Sequence, residues 1–231
     1  MNADWFFDER AHAGAEHLDH DQVAAYDEKS PFDPSEEIKL LKSHGLSEED
    51  TVIDLGCGTG AFVVAVAPHC DRVIGVDISD TMLNEARNKI ETAGVTNVEL
   101  VHDGVLTYEH EGASASFVFS KNTLHHLPDF WKVEALKAVG AMLHDGGIFR
   151  LRDLVYSFDP NESHEAIDTW LEGMESSLFT TEELHHLVRG EFSTYGYLLE
   201  SMLERTRFEI LEATYRDGFY ASYTCKWTAN P

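Results

Sequence analysis

Three alternating glycines directly after an apolar stretch constrain the fold more than any other feature of this sequence. Residues 52–55 read Val-Ile-Asp-Leu and suit a strand buried on both faces. The loop that follows contains Gly56, Gly58 and Gly60. Without a Cβ atom, these residues can take positive φ and bring the backbone close to a ligand. The stretch therefore predicts a strand, a ligand-binding loop and a helix over 61–67.

The acid near the end of this strand, Asp54, bears on the kind of ligand. A carboxylate repels a pyrophosphate and attracts a cation, which favours S-adenosylmethionine, with its sulfonium and ammonium groups, over a dinucleotide. Gly56, Gly58 and Ala61 nevertheless also fit the dinucleotide fingerprint, and Asp77 lies near the distance expected of its ribose-binding acid. A dinucleotide-dependent oxidoreductase and a non-catalytic S-adenosylmethionine-binding protein remain alternatives at this point.

Length and composition set broad limits on the class of protein. A chain of 231 residues with 43% apolar content can bury one sizeable core, with room for a small cap. It contains no run of about 18 apolar residues and no basic, apolar leader, so we predict no membrane partner and a cytoplasmic location. Three widely spaced cysteines argue against a disulfide framework or a zinc site.

The formal net charge of −25 comes from 42 acidic residues against 17 lysines and arginines. Such a surface repels phosphate backbones, so we predict no nucleic-acid partner. Salt screens the self-repulsion of an acidic protein. A high-salt cytoplasm is therefore one explanation of the acidity, and an acidic protein in an ordinary cytoplasm is the other.

From residue 51 onward strand-like and helix-like segments alternate, which is typical of βαβ units around a parallel sheet. The predicted parallel strands are 51–55, 72–77, 97–101, 116–119 and 148–153. The segments 208–214 and 219–226 are joined by too short a turn for a crossover, so they should form a hairpin. The predicted fold class is α/β: a Rossmann-like, seven-stranded, mostly parallel sheet with a C-terminal antiparallel hairpin and helices on both faces.

The remaining segments predict how the chain is divided. The predicted parts are an N-terminal cap segment (1–50), a cofactor-binding α/β core (51–156), a helical lid insertion (157–193) and a C-terminal helix and hairpin that complete the core (194–231). Within the lid, the run Thr-Thr-Glu-Glu at 180–183 predicts a capping box at the start of a helix.

Five alternating units closed by a hairpin resemble the class I S-adenosylmethionine-dependent methyltransferase family, over about residues 50–227. The resemblance implies that Asp54 and the glycine loop cradle the methionine portion of the cofactor. It also implies that Asp77 accepts both ribose hydroxyls and that Asp103 accepts from the adenine amine. The cofactor contacts implied or inferred in this way are Tyr26, Asp54, Gly56, Cys57, Gly58, Gly60, Asp77, Ile78, Met82, Asp103, Gly104, Val105, Lys121 and Asn122.

Each acid, and Tyr26, also has a purely structural explanation. Asp54 could accept bonds from the loop N–H groups, Asp77 could begin the next helix, and Asp103 could belong to an ordinary turn. Tyr26 could anchor the N-terminal segment to the core. The cofactor assignment depends on three acids falling at successive strand ends, because open α/β sheets bind their ligands there.

The segment 124–129, Leu-His-His-Leu-Pro-Asp, resembles the one after strand four in small-molecule methyltransferases, including those that modify quinone precursors. It does not resemble the Asn/Asp-Pro-Pro-Tyr/Phe segment of enzymes that methylate nucleic-acid amines. The sequence therefore predicts in-line methyl transfer to a small acceptor. His125 or His126 could act as general base on an acceptor hydroxyl, because imidazole titrates near neutral pH. The alternative is that either histidine packs under the loop and bonds the backbone.

Strand five ends Arg150-Leu-Arg152-Asp153, which places two arginines on one face of a buried strand. One explanation is that Arg152 faces the substrate cleft and binds a carboxylate or phosphate of an anionic acceptor. The other is a structural ion pair with Asp153 or with an acidic helix. We count Arg152 with His125 and His126 as the candidate catalytic residues.

The thirteen histidines raise the question of a metal. None of them stands at an H-x-x-x-H or H-E-x-x-H spacing, so the sequence predicts no metal site. For the assembly state it predicts a monomer or a homodimer.

Overall fold

The computed structural model describes residues 4–174 and 178–229, so three residues of the predicted lid lie outside the described part. The α-helices are α1 (Ala15–Leu18), α2 (His20–Ala24), α3 (Tyr26–Lys29), α4 (Ser35–Ser43), α5 (Ala61–Val66), α6 (Asp80–Ala93), α7 (Asp129–Met142), α8 (Ser163–Gly173), α9 (Thr181–Arg189) and α10 (Gly196–Arg205). The strands are β1 (Thr51–Leu55), β2 (Arg72–Asp77), β3 (Val98–His102), β4 (Ala115–Lys121), β5 (Leu143–Tyr156), β6 (Thr194–Tyr195), β7 (Phe208–Arg216) and β8 (Tyr220–Trp227).

The main sheet has the order β3-β2-β1-β4-β5-β8-β7. Strands β1 to β5 run parallel, and β8 pairs antiparallel with both β5 and β7. The predicted fold, including the C-terminal hairpin, is confirmed. The short strand β6, which pairs with the end of β5, adds to the seven predicted strands. The strand order reverses between β1 and β4, and ligands bind at such reversals in open α/β sheets.

The sheet separates two apolar cores. One lies on the side of α7 and α10 and includes Ile53, Leu136 and Tyr223; the other, on the side of α4 and α5, includes Leu41 and Phe119. Alternating β1 side chains therefore enter opposite cores, which is why this strand reads as a nearly continuous apolar run. Among the described residues, no helix is long and apolar enough to cross a membrane.

Strand β5 begins earlier than predicted. We expected a strand starting at Ile148, but the strand starts at Leu143. Ala115 of β4 pairs with Leu143, whereas Phe117 pairs with Ile148, so the register shifts there. Gly146 takes a φ of 84° at this irregularity, so the strand continues through the two glycines instead of ending there.

The predicted lid contains α8 and α9, which pack on the tip of the β7–β8 hairpin. Trp170 stacks on Phe219 with ring centroids 4.6 Å apart, and Leu184 is buried in the same cluster. The capping box is confirmed, because the Thr180 side chain accepts from the Glu183 N–H and the Glu183 side chain accepts from the Thr180 N–H. Glu183 also pairs with Lys29 at 2.8 Å, which joins this insertion to the N-terminal segment.

A buried ion-pair cluster fixes α4 against the sheet. Arg150 Nε donates to Glu37 Oε2 over 2.7 Å, and Arg152 Nη1 donates to Glu37 Oε1 over 2.9 Å. Glu37 is only 4% exposed. The two arginines do share one face, as predicted, and they share a single carboxylate of α4 rather than pairing with Asp153.

Replacing Glu37 with glutamine should destabilise the fold, because two guanidinium groups would lose their neutralising charge in a buried place. We expect Glu37→Gln to lower the free energy of unfolding by about 3 kcal/mol, measured by denaturant titration. The neighbouring Glu36→Gln is the control: this side chain is 79% exposed and pairs with Lys39, which is 70% exposed. It should change stability by less than about 1 kcal/mol. Equal effects of the two changes would contradict the structural role of Glu37.

Candidate active site

The glycine loop after β1 is held against the end of β2. Gly56, Gly58 and Gly60 have φ of 73°, 52° and 79°, so the predicted positive values are confirmed. The Gly58 N–H donates to Asp77 Oδ2 over 2.8 Å. A Cβ on Gly56 would lie 2.1 Å from Thr123 Oγ1, so only glycine fits under the segment that follows β4.

A small cavity lies where the carboxyl ends of β1, β2 and β3 meet. Of the predicted cofactor residues, those that line it are Tyr26, Gly56, Gly58, Asp77, Ile78, Met82, Asp103, Gly104, Val105, Lys121 and Asn122. Asp54, Cys57 and Gly60 are not among the lining residues in this conformation. Gly60 instead allows the loop to approach α6, because a Cβ there would lie 2.9 Å from Ala86 Cβ.

The acids behind this cavity have pKa values shifted by burial. Burial, and then the nearby Asp77, raise the pKa of Asp54 well above its usual range. Burial also raises the pKa of Asp77, although N–H groups of Ser79 and Gly58 donate to its carboxylate and oppose the shift. A cationic ligand bound beside these two acids would stabilise their charged forms, whereas a pyrophosphate would destabilise them.

The N-terminal segment closes the small cavity, and its key residue was missed from the sequence. Glu9 Oε1 accepts from the Val105 N–H over 2.9 Å, and Oε2 accepts from the Leu106 N–H over 3.0 Å. Ala13 and His17 line the cavity beside Glu9. The remaining volume is about 80 Å³, whereas small-molecule sites are typically about 300–1,000 Å³. In this conformation Glu9 therefore binds the backbone that was predicted to lie beside the adenine.

A second, larger cavity of about 1400 Å³ adjoins the small one. One wall is aromatic and comes from the lid and the hairpin tip; it includes Phe158, Trp170, Phe179, Phe219 and Tyr220. Residues that line both cavities mark the junction between them, and they are His17, Tyr26, Lys121, Asn122 and His126. A molecule in the larger cavity can therefore meet a cofactor in the smaller one at this junction.

The two predicted catalytic histidines have different surroundings. His125 Nδ1 lies 2.5 Å from Asp153 Oδ1, and His125 Nε2 lies 3.3 Å from Glu191 Oε2. Burial opposes protonation of His125, but Asp153 and Glu191 outweigh it and raise its pKa. His126 lies at the junction, where burial and then His125 hold its pKa well below the usual range. Asp153 and Glu191 were not predicted as partners, because neither carries a sequence signal near the histidines.

Arg152, the arginine predicted to bind an anion, lines the large cavity and also pairs with Glu37. Its guanidinium lies 5.6 Å from the centre of the Phe32 ring, and Lys121 Nζ lies 4.9 Å from the same centre. Burial, and then the charge of Arg152, lower the pKa of Lys121 to about 8. Both the structural ion pair and the anion-binding role offered for Arg152 thus have a structural basis. The single carboxylate of Glu37 serves two guanidinium groups, which leaves a net positive charge.

This chain is similar to several known proteins in sequence and in fold. Residues 52–147 match the model of a methyltransferase domain family. A carboxy-S-adenosyl-L-methionine synthase of Nautilia profundicola is 24% identical over 193 residues, 81% of each chain. Phosphoethanolamine N-methyltransferase 2 of Caenorhabditis elegans is 31% identical over 49% of this chain and 28% of its own. A solved S-adenosylmethionine-dependent methyltransferase of Clostridium acetobutylicum shares the fold, with a TM-score of 0.68 and 14% identity over 91% of this chain and 99% of its own.

The family match and the fold define this protein as a methyltransferase. The methyltransferase domain over residues 52–147 and the relatives together support a class I S-adenosylmethionine-dependent methyltransferase, with S-adenosylmethionine as its cofactor. The dinucleotide-dependent alternative left open by the glycine spacing is thereby set aside.

Docking of the N-terminal segment should weaken as the pH rises. Burial is the main cause that raises the pKa of Glu9 from 4.5 to about 7. The docked state therefore holds a proton more tightly than the free segment, so docking is strongest below pH 4.5 and loses up to about 3 kcal/mol as the pH rises to 7. Hydrogen exchange of the Val105 and Leu106 amides, compared at each pH with Glu9→Gln, measures the effect. Protection that increases with pH relative to this variant would contradict the assignment.

Proposed function

We propose that this enzyme transfers the methyl group of S-adenosylmethionine to a small, anionic acceptor bound in the large cavity. The observation that carries the proposal is the pair of cations at its inner end, Lys121 and Arg152, in a chain with a net charge of −25. In so acidic a protein, Lys121 at the junction and Arg152 on the wall of the large cavity favour a carboxylate or phosphate on the acceptor. Two of the relatives have names that refer to small molecules, which supports an acceptor of that kind.

The cofactor is proposed to lie across the ends of β1, β2 and β3. Asp77 accepts from the ribose hydroxyls, since a carboxylate has lone pairs left after accepting from two backbone N–H groups. Asp103 accepts from the adenine amine, and Ile78 packs on the adenine ring. The glycine loop and Asp54 face the positively charged methionine portion.

Methyl transfer needs few reacting groups from the protein. A lone pair of the acceptor atom forms the new bond to the methyl carbon, while the electron pair of the carbon–sulfur bond returns to sulfur and leaves a neutral thioether. Holding the acceptor in line and excluding water can contribute about 7–11 kcal/mol. The aromatic wall and the lid would exclude water from the acceptor side.

We assign to His126 the promotion of proton loss from an acceptor hydroxyl. It lines both cavities, whereas His125 is held between Asp153 and Glu191 and serves to position its neighbour. An acceptor that is already deprotonated would not need this residue.

The cofactor assignment is tested at Asp77. We expect Asp77→Ala to weaken binding of S-adenosylhomocysteine at least tenfold, or about 1.4 kcal/mol, in a calorimetric titration. Asp80→Ala is the control, because this acid is also on the first turn after β2, is 59% exposed and pairs with His102 outside the cavity. It should leave the affinity within about twofold. Unchanged affinity in a folded Asp77→Ala protein would remove the ribose assignment.

The acceptor class is tested with labelled S-adenosylmethionine and a panel of small carboxylates, phosphates and neutral analogues. Transfer confined to anionic compounds is the expected result. Arg152→Met should then raise KM for the anionic acceptor at least tenfold while leaving S-adenosylhomocysteine affinity unchanged. Arg216→Met is the control, since this arginine lines the same cavity at the hairpin tip and pairs with Asp217.

Three outcomes would overturn parts of the proposal. Transfer to neutral analogues with equal efficiency would remove the anionic acceptor. Equal losses in the two arginine variants would show that Arg152 acts only through general charge. Tight cofactor binding with no transfer to any small molecule, in low or molar salt, would favour a non-catalytic binding protein.

A further inference from the structure

Three side chains with metal-binding groups meet on the wall of the large cavity. They are His125 and His126, from the 3₁₀ turn Leu124–His126, and Glu191, from the loop after α9. One ligand atom from each lies within 4.8 Å of the others. The two elements are about 65 residues apart along the chain, so no local spacing could have revealed the cluster.

The hydrogen bonds around His125 fix where its free lone pair points. Asp153 accepts from the Leu124 N–H and the Leu154 N–H, each over 2.7 Å, so its carboxylate is held in place. His125 Nδ1, 2.5 Å from Asp153, donates its proton to that carboxylate. With Nδ1 held by Asp153, Nε2 is the ring nitrogen that faces Glu191 Oε2, 3.3 Å away. A carboxylate that orients a histidine in this way is the usual second partner of a metal-binding imidazole.

The contact between His125 Nε2 and Glu191 Oε2 requires a positive species, which is either a second proton on His125 or a cation. A single proton on His125 Nε2 would satisfy Glu191 Oε2, but it would do nothing for His126, whose Nδ1 lies 4.0 Å from Glu191 Oε1. A cation can serve all three groups at once. Ligands about 2.1 Å from a tetrahedral cation are about 3.4 Å apart, close to the distance between His125 and Glu191.

We propose that His125, His126 and Glu191 bind one divalent transition-metal cation. Two imidazoles and one carboxylate suit zinc, cobalt or iron better than magnesium or calcium, which prefer oxygen ligands. The side chains of His125 and Glu191 are each 4% exposed, whereas His126 is 18% exposed and lies on the cavity wall. Three protein ligands leave coordination positions open toward the acceptor cavity, which is typical of a catalytic rather than a structural site.

The cation gives a physical basis for the role assigned to His126. An acceptor hydroxyl that coordinated the cation would have a lowered pKa, so it would lose its proton to water as the acceptor binds, before water is excluded, and would stay bound as an oxyanion. A lone pair of that oxyanion then attacks the methyl group, and the carbon–sulfur electron pair returns to sulfur as before. This role depends on the function proposed above, whereas binding of the cation does not.

Cobalt binding tests the site without any measurement of activity. Protein freed of metal with a chelator is titrated with Co²⁺, and the visible absorption of the bound ion is recorded. We expect one tight Co²⁺ per chain, with Glu191→Gln and His126→Ala each weakening its binding at least tenfold. Glu165→Gln is the matched control, because this exposed acid lines the same cavity but lies outside the cluster. It should change the affinity less than twofold.

The circular dichroism spectrum of every variant serves as the test of folding. Absence of a tight Co²⁺ site in protein that binds S-adenosylhomocysteine would overturn the metal inference and leave the proposed function standing. A tight site unaffected by both Glu191→Gln and His126→Ala would also overturn it, because other histidines would then be the ligands. A His125 ring that keeps protons on both nitrogens in nitrogen-15 NMR spectra after addition of Co²⁺ or Zn²⁺ would show that a proton holds the cluster together.

Discussion

The left-handed turn after β1 is the constraint on which both cavities depend. Its three positive φ angles let the backbone leave the sheet, pass the end of β2 and enter α5 without any side chain in the way. Because Gly56 has no Cβ, Thr123 can pack directly against its backbone. The segment after β4 can therefore lie directly over the loop. That segment carries the histidines and forms the junction. A side chain at Gly56 would therefore displace the acceptor side as well as the cofactor side.

Local patterns in the sequence were enough to predict the sheet and most of the residues that line the small cavity. Apolar runs, glycines and acids at strand ends are local signals, and the parallel topology brings those ends together. The residues that were missed make contacts across long stretches of chain. Glu9 meets Val105, Glu37 meets two arginines of β5, and Glu191 meets His125. In an acidic chain many glutamates look alike, so only the tertiary fold distinguishes these three.

The distribution of charge between surface and interior also has a physical explanation. Most of the acidic excess is solvated, where water and salt screen it. Inside, acids are matched with specific partners: Glu37 with two guanidinium groups, and Asp153 with an imidazole and backbone N–H groups. Lys121 is instead buried near several charges of both signs, which leaves its ammonium easier to deprotonate than that of a surface lysine. Lys121 thus brings a titratable cation to the junction, where a ligand in either cavity can meet it.

The small volume left beside Glu9 has a kinetic consequence. If the closed arrangement predominates in solution, the cofactor binds only to the fraction of molecules in which the N-terminal segment has moved aside. The apparent dissociation constant is then the intrinsic one divided by that fraction. The observed association rate would level off at high cofactor concentration, at the rate of opening rather than at the rate of diffusion. The segment would thereby set how fast each catalytic cycle can start.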